Sequence, residues 1–125
     1  MKIFGHEWIE SERFYAINKA NDIKKTPSNA LLKIEGGLSD TSLSLAKYCK
    51  SNKLRYAIAV ESIEEAIFAN LLCATYILCE KSLAKELMPI AQHYLFDTQI
   101  LAYIKKDEIA EMAKVGVDGV VIVYR

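Results

Sequence analysis

Apolar runs alternate with amphipathic stretches along most of this chain. The runs occupy residues 30–34, 55–60, 74–79, 99–104 and 119–124. Each is five or six residues of nearly unbroken aliphatic or aromatic character. That is the pattern of strands buried on both faces, as in a parallel sheet. Between them the period changes to that of a helix. Residues 40–53 carry Leu43, Ala46, Tyr48 and Cys49 at helical spacing, with Asp40 placed to cap the N-terminus. Ser62-Ile63-Glu64-Glu65 reads as a capping box opening a helix through Ala66, Ile67, Asn70 and Leu71. Ser82 is the cap expected for a third helix, through Leu83, Leu87, Ile90, Ala91 and Tyr94, with Pro89 expected to kink or divide it. Asp107 is expected to cap a short fourth helix through Ile109 and Met112, stopped by Gly116 in the left-handed conformation.

This alternation predicts one α/β domain over residues 1–125, with about five mainly parallel strands and four helices. Two arrangements are compatible with it, an open doubly wound sheet and a half-barrel. The favoured expectation is the three-layer doubly wound form, with right-handed crossovers. Residues 1–29 stand apart from the repeating β/α units of residues 30–125. They contain one short strand candidate, at residues 13–17, then a polar loop, and are expected to form a lid or an edge element. Offsetting the chain by about 44 residues, a spacing of the kind internal repeats produce, superposes Glu64 on Glu108, Ala66 on Ala110 and Tyr76-Ile77-Leu78 on Val120-Val121-Ile122.

Composition narrows the function classes. Sixteen Lys and Arg balance sixteen Asp and Glu, so no basic excess is left to neutralise phosphates along a nucleic acid. The longest mostly apolar stretch, 66–79, is too short for a membrane span. Cys49, Cys73 and Cys79 are odd in number and form no C-x-x-C pair, so they predict reduced thiols in a cytoplasmic protein and no cysteine metal site. His6 with Glu7 and Glu10 is a weak metal pattern, read as polar surface. No metal and no cofactor are implied. The apolar last strand, if left as a bare edge, would pair with another chain, which motivates a homodimer. Phe4, Trp8, Phe14 and Tyr15 cluster early and could cover an edge, line a pocket or form that contact.

In parallel α/β architectures ligands sit at the carboxyl ends of the strands. The residues there are Glu35, Gly36, Gly37, Glu61, Ser62, Cys79, Glu80, Lys81, Lys105, Lys106 and Arg125. Glu61 is a candidate general base if buried, and Lys105 a candidate Schiff-base amine if held in a dry pocket. Glu35, Gly36, Gly37, Ser62, Glu80 and Lys106 are candidate ligand-binding residues. Gly36-Gly37 lacks the glycine spacing of a dinucleotide or P-loop fingerprint.

Two segments resemble part of a phosphate-metabolite (β/α)8 barrel of the keto-deoxy-phosphogluconate aldolase kind. One is Val60-Glu61-Ser62-Ile63-Glu64-Glu65-Ala66 followed by Ala74-Thr75-Tyr76-Ile77. The other is Asp107-Glu108-Ile109-Ala110 followed by Val115-Gly116-Val117-Asp118-Gly119-Val120. The resemblance implies a half-barrel and an aldolase-type lyase of phosphorylated metabolites. It departs from the family where a late strand should carry the Schiff-base lysine, since Val120-Val121-Ile122-Val123 holds none. The later strands that bring the family's phosphate-binding loops are also missing. The expected function is therefore a non-catalytic module that self-associates or binds a small anionic metabolite, with the lyase as the alternative. A receiver-type signalling domain is set aside, because its phosphorylated Asp after the third strand has no counterpart at Cys79-Glu80.

Overall fold

The computed structural model describes residues 1–35 and 38–124. Gly36, Gly37 and Arg125 lie outside them. Seven strands form one all-parallel sheet: β1 (Lys2–Phe4), β2 (Phe14–Ile17), β3 (Leu31–Ile34), β4 (Tyr56–Ala59), β5 (Tyr76–Glu80), β6 (Gln99–Ile104) and β7 (Gly119–Ile122). Five α-helices connect them: α1 (Ala20–Ile23), α2 (Asp40–Ser51), α3 (Ile63–Leu71), α4 (Lys81–His93) and α5 (Ile109–Val115), the last preceded by a 3-10 turn at Lys106–Glu108. The sheet order is β1-β7-β6-β5-β4-β3-β2. The expectation of about five strands and four helices is thus corrected upward. The additions lie in the N-terminal segment, where β1 and β2 form the two edges of the sheet.

The doubly wound, three-layer expectation is also corrected. From β2 to β7 every strand lies beside its predecessor, with no reversal of direction along the sheet. Right-handed crossovers of constant direction put every helix on one face. The packing agrees with this. Ile34, Tyr56, Ile58, Ile77, Ile100, Ile104 and Val120 share one buried cluster with Leu45, Cys49, Ala66, Leu87, Met88 and Met112 from the helices. The opposite face buries Phe4, Leu31, Ala57, Tyr76, Leu78 and Leu101 in a second cluster made of strand residues alone. The sheet curls so that its inner face packs on itself. This half-barrel explains the near-continuous apolar runs without a second helix layer.

How far the curl goes can be read from the edges. Laid flat, β1 and β2 would stand six strand spacings apart, about 29 Å. Yet the rings of Phe4 on β1 and Phe14 on β2 lie 5.1 Å apart, and Phe4 meets Tyr76 of β5 edge-on at 5.6 Å. Arg55, before β4, holds Glu12, before β2, through two hydrogen bonds of 3.0 and 2.7 Å. Lys2 Nζ donates to Tyr76 Oη at 2.6 Å. Aromatic rings and these polar ties therefore plug the amino end of the half-barrel. The early aromatic cluster splits among several roles. Phe4 and Phe14 fill the inner face, Tyr15 packs on the helix side beneath the Arg13 guanidinium at 4.8 Å, and Trp8 is exposed.

The helix termini follow one local rule at their C-ends. Lys53, Cys73 and Leu95 adopt positive φ of 54°, 61° and 52° just past α2, α3 and α4. The next amide reaches back each time, Leu54 N to Cys49 O, Ala74 N to Ala69 O and Phe96 N to Ala91 O. Gly116, at φ 88°, ends α5 as expected. At the N-ends, Ser62 caps α3 by accepting from Glu65 N at 3.1 Å, while the Glu65 carboxylate accepts from Glu61 N at 3.2 Å. Four expectations change. Ser39, not Asp40, caps α2, through exchanged bonds with Ser42. Ser82 lies inside α4, which starts at Lys81, and Asp107 lies in the 3-10 turn before α5. Pro89 does not divide α4, which runs unbroken from Lys81 to His93.

Candidate functional site

Side chains two apart on a strand share a face. The inner cluster fixes which face is concave, so Lys33 and Glu35 follow Leu31 on it, Ala59 and Glu61 follow Ala57, Glu80 follows Leu78, Tyr103 and Lys105 follow Leu101, and Val121 and Val123 follow Gly119. The amino half of this face is filled by large rings and leucines. Toward the carboxyl ends it is lined by Ala16, Ala59 and Val121, which are smaller and partly or fully open to solvent. The half-barrel is therefore a cup that opens where its strands end.

Across this cup Lys33 Nζ stands 5.9 Å from the centre of the Tyr103 ring. Strands β3 and β6 are separated by β4 and β5, about 14 Å of sheet. Two long side chains can meet over that span only because β4 presents alanines beneath them. Both residues are half-buried. Burial pushes the Tyr103 phenol up to about 12, with the charges of Glu35, Glu80 and Cys79 adding to it. Its hydroxyl therefore stays protonated and able to donate. The two carboxylates name the rest of the rim, one at the end of β3 and one at the end of β5. Beside Tyr103 a groove of about 280 Å³ is lined by Glu80, Lys81, Lys105, Glu108 and Val123.

Around this centre the residues expected from the sequence have distinct fates. Glu80 and Lys105 are brought together in the groove, and the charge of Glu35, at the end of β3, acts on Tyr103 without lining that groove. Lys105 is exposed, and its amide donates to Glu108 Oε1 at 2.8 Å, so the dry pocket a Schiff-base amine requires is not formed around it. Glu61 is exposed beyond β4 and does not line the groove, so the burial expected of a general base there is absent. The Ser62 hydroxyl is taken by its capping bond. Lys106 turns away to pair with Glu7 over the exposed Trp8 ring. That hydrogen bond raises the Lys106 ammonium and lowers the Glu7 carboxyl. The Gly36-Gly37 expectation falls outside the described residues.

Lys33 and Tyr103 were not singled out by the sequence reading. Each sits inside an apolar run instead of at its end. The available signal was parity: a lysine inside a buried strand, in step with Glu35, can only be carried on the side that opens to solvent.

Other polar clusters are tied up in the fold. Lys81 pairs with Glu108 and with Glu111, the latter at 3.0 Å, which fixes α5 against the start of α4. His6 receives the Trp8 amide on Nδ1 at 3.1 Å, and its ring lies tilted against that of Trp8. Among the described residues no three His, Cys, Asp or Glu side chains gather as a metal site, and no helix is long and apolar enough to cross a membrane. Burial pushes the Cys49 thiol up to about 11 and the Cys79 thiol to about 12, while Cys73 is exposed. Only the thiolate is nucleophilic. Iodoacetamide at mildly alkaline pH is accordingly expected to label Cys73 alone in the native protein, and all three after denaturation. Mass spectrometry of the tryptic peptides reads the result, and native labelling of Cys49 or Cys79 would contradict the burial described.

No protein-family model matches the chain, and no curated protein is similar to it at a significant level. Its class is defined by the fold and the mouth alone: a curled, all-parallel α/β half-barrel with a lysine and a tyrosine meeting across its open end.

Proposed function

We propose that this protein binds a small phosphorylated or carboxylated metabolite in the cup at the carboxyl ends of its strands, without transforming it. The observation that carries the reading is Lys33, a cation projected from the concave face over Tyr103. Lys105 adds a second positive charge in the adjoining groove, and the Tyr103 hydroxyl is a donor. These groups suit an anionic head. Glu35 and Glu80 suit the rest of such a molecule, because carboxylates accept from hydroxyl groups. A hydroxylated phosphate ester or sugar acid offers both. In this class of sheet the carboxyl ends are where ligands are held.

The test is thermal unfolding with a panel of sugar phosphates, 2-keto acids and nucleotides. A ligand at a hundred times its dissociation constant stabilises by about 2.7 kcal/mol, a rise of several degrees for a domain this size. The Lys33→Met variant is expected to lose the rise and Glu61→Gln to keep it. A flat panel, or a hit indifferent to Lys33→Met and to Lys105→Met, overturns the proposal.

A second reading is the aldolase-type lyase to which the sequence bears resemblance. It is favoured by Lys105 and Tyr103 lining one groove. It requires a bound ligand to exclude water from Lys105, whose deprotonated amine would then add to the ligand carbonyl carbon, the carbonyl oxygen leaving as water with both amine protons to give an imine. Pyruvate with borohydride would reduce that imine to a stable amine on Lys105; no adduct on any lysine removes this reading.

A further inference from the structure

The homodimer expected from the sequence rested on β7 as a bare edge, and β7 instead lies inside the sheet between β6 and β1. A different surface calls for a partner. The outward positions of α2, α4 and α5 are mainly polar, represented by Asp40, Lys47, Lys85, Glu86, Glu111 and Lys114. Those of α3 are not. Its exposed residues are Ile63, Glu64, Ile67, Phe68 and Leu71. Ile63, Ile67 and Phe68 are 37%, 38% and 42% exposed, and Leu71 is 63% exposed. Tyr94 and Leu95, past the end of α4, extend the patch at 69% and 83%.

The shape of this face is specific. Phe68 and Leu71 border a groove of about 460 Å³ shared with Leu43 of α2. Ile67 and Leu71 border a second groove, of about 270 Å³, shared with Tyr94 and Phe96. The exposed side of α3 is thus a ridge between two grooves, and ridges seat in grooves when helices pack. A twofold interface needs a surface that carries both halves of its own complement. At about 200 Å² for a fully exposed large side chain, the six apolar residues present on the order of 650 Å². A standard stable interface takes about 800 Å² from each partner, whereas the largest patch on a typical monomer is about 300–600 Å².

Charge selects the orientation. Glu64 stands at the start of α3, and Lys50 reaches its end, donating to Leu71 O at 3.3 Å. Two α3 helices laid antiparallel about a twofold axis bring the Glu64 of each copy to the Lys50 of the other. The balanced net charge of the chain sets up no overall repulsion against this pairing. We infer that the protein self-associates as a twofold dimer through the outward face of α3, its ridge seated in the grooves of a second copy.

Sedimentation velocity across a concentration series tests this on the full chain, with Phe68→Glu, Leu71→Glu and Glu64→Lys. All three positions are exposed, so the variants keep the fold, and circular dichroism verifies that they do. The wild type is expected at twice 14.1 kDa in the upper concentration range. Phe68→Glu and Leu71→Glu are expected to raise the dissociation constant at least tenfold. Glu64→Lys is expected to weaken the dimer, and adding Lys50→Glu to restore it. A wild type that stays at 14.1 kDa throughout overturns the inference and gives the face to a different protein. A dimer untouched by both apolar substitutions also overturns it, by placing the contact elsewhere.

Discussion

Leu101→Ala is expected to lower the stability of this domain by about 2–5 kcal/mol. Leu101 is fully buried on β6, in the inner cluster of the curled sheet. The β-ladder places Leu78 beside it on β5 and Gly119 beside it on β7. Gly119 has no side chain to swing into the space, and Ala57, also in that cluster, has only a methyl group. The cavity would remain largely unfilled, which puts the cost in the upper part of the range for such truncations. Urea unfolding should show a lower midpoint at an unchanged slope, since the surface exposed on unfolding hardly changes. A loss below about 1 kcal/mol would mean that the inner face can collapse, and would contradict close packing there.

The converse change, Gly119→Ala, is expected to cost about 1–3 kcal/mol by overpacking. A Cβ on Gly119 would stand 2.7 Å from Leu101 Cδ2 and 2.8 Å from Lys2 O. The first neighbour is a side chain locked in a full core, and the second is the backbone of β1. One of them must move, and β1 is the weaker-held element, an edge strand of three residues paired only with β7. Hydrogen exchange should accordingly quicken at Lys2 and Ile3 more than at β4 or β5. The two substitutions share a contact, so the double variant should lose less than the sum of the single losses. It should not recover fully, because removing the leucine leaves the clash with Lys2 O in place. Strict additivity would show that the two side chains do not compete for one space.

The strands with long apolar runs were legible because burial on both faces leaves few polar positions in them. The same fact hid the architecture. Leu31 and Leu32 are both buried, and nothing in their apolarity says whether helices or the sheet's own far side cover the inner one. β1 was missed since three residues, Lys2 to Phe4, cannot display a period. Glycine marks a helix end in a sequence, as Gly116 does after α5. Lys53, Cys73 and Leu95 take the same left-handed position against their own preference, held by the amide that follows each. Of the mouth, Glu80 and Lys105 were legible as charges at the ends of runs. Lys33 and Tyr103 were not, since their meeting depends on how far the sheet bends, a quantity that no local pattern encodes.

The pairing of the first strand with the last gives the chain an unusual order of assembly. As synthesis proceeds, each strand from β3 onward emerges beside a neighbour already made. β1 is the exception: made before the other six, it has no place in the sheet until its partner, from Gly119 to Val121, has followed all of them. Phe4 and Ile3 must therefore stay in water, with the amino end of the cup unplugged, until β7 has been made. Closing so long a loop adds little to the entropic cost over closing a short one. The delay is one of timing, and the sheet is sealed in a single late step that joins β1 to β7.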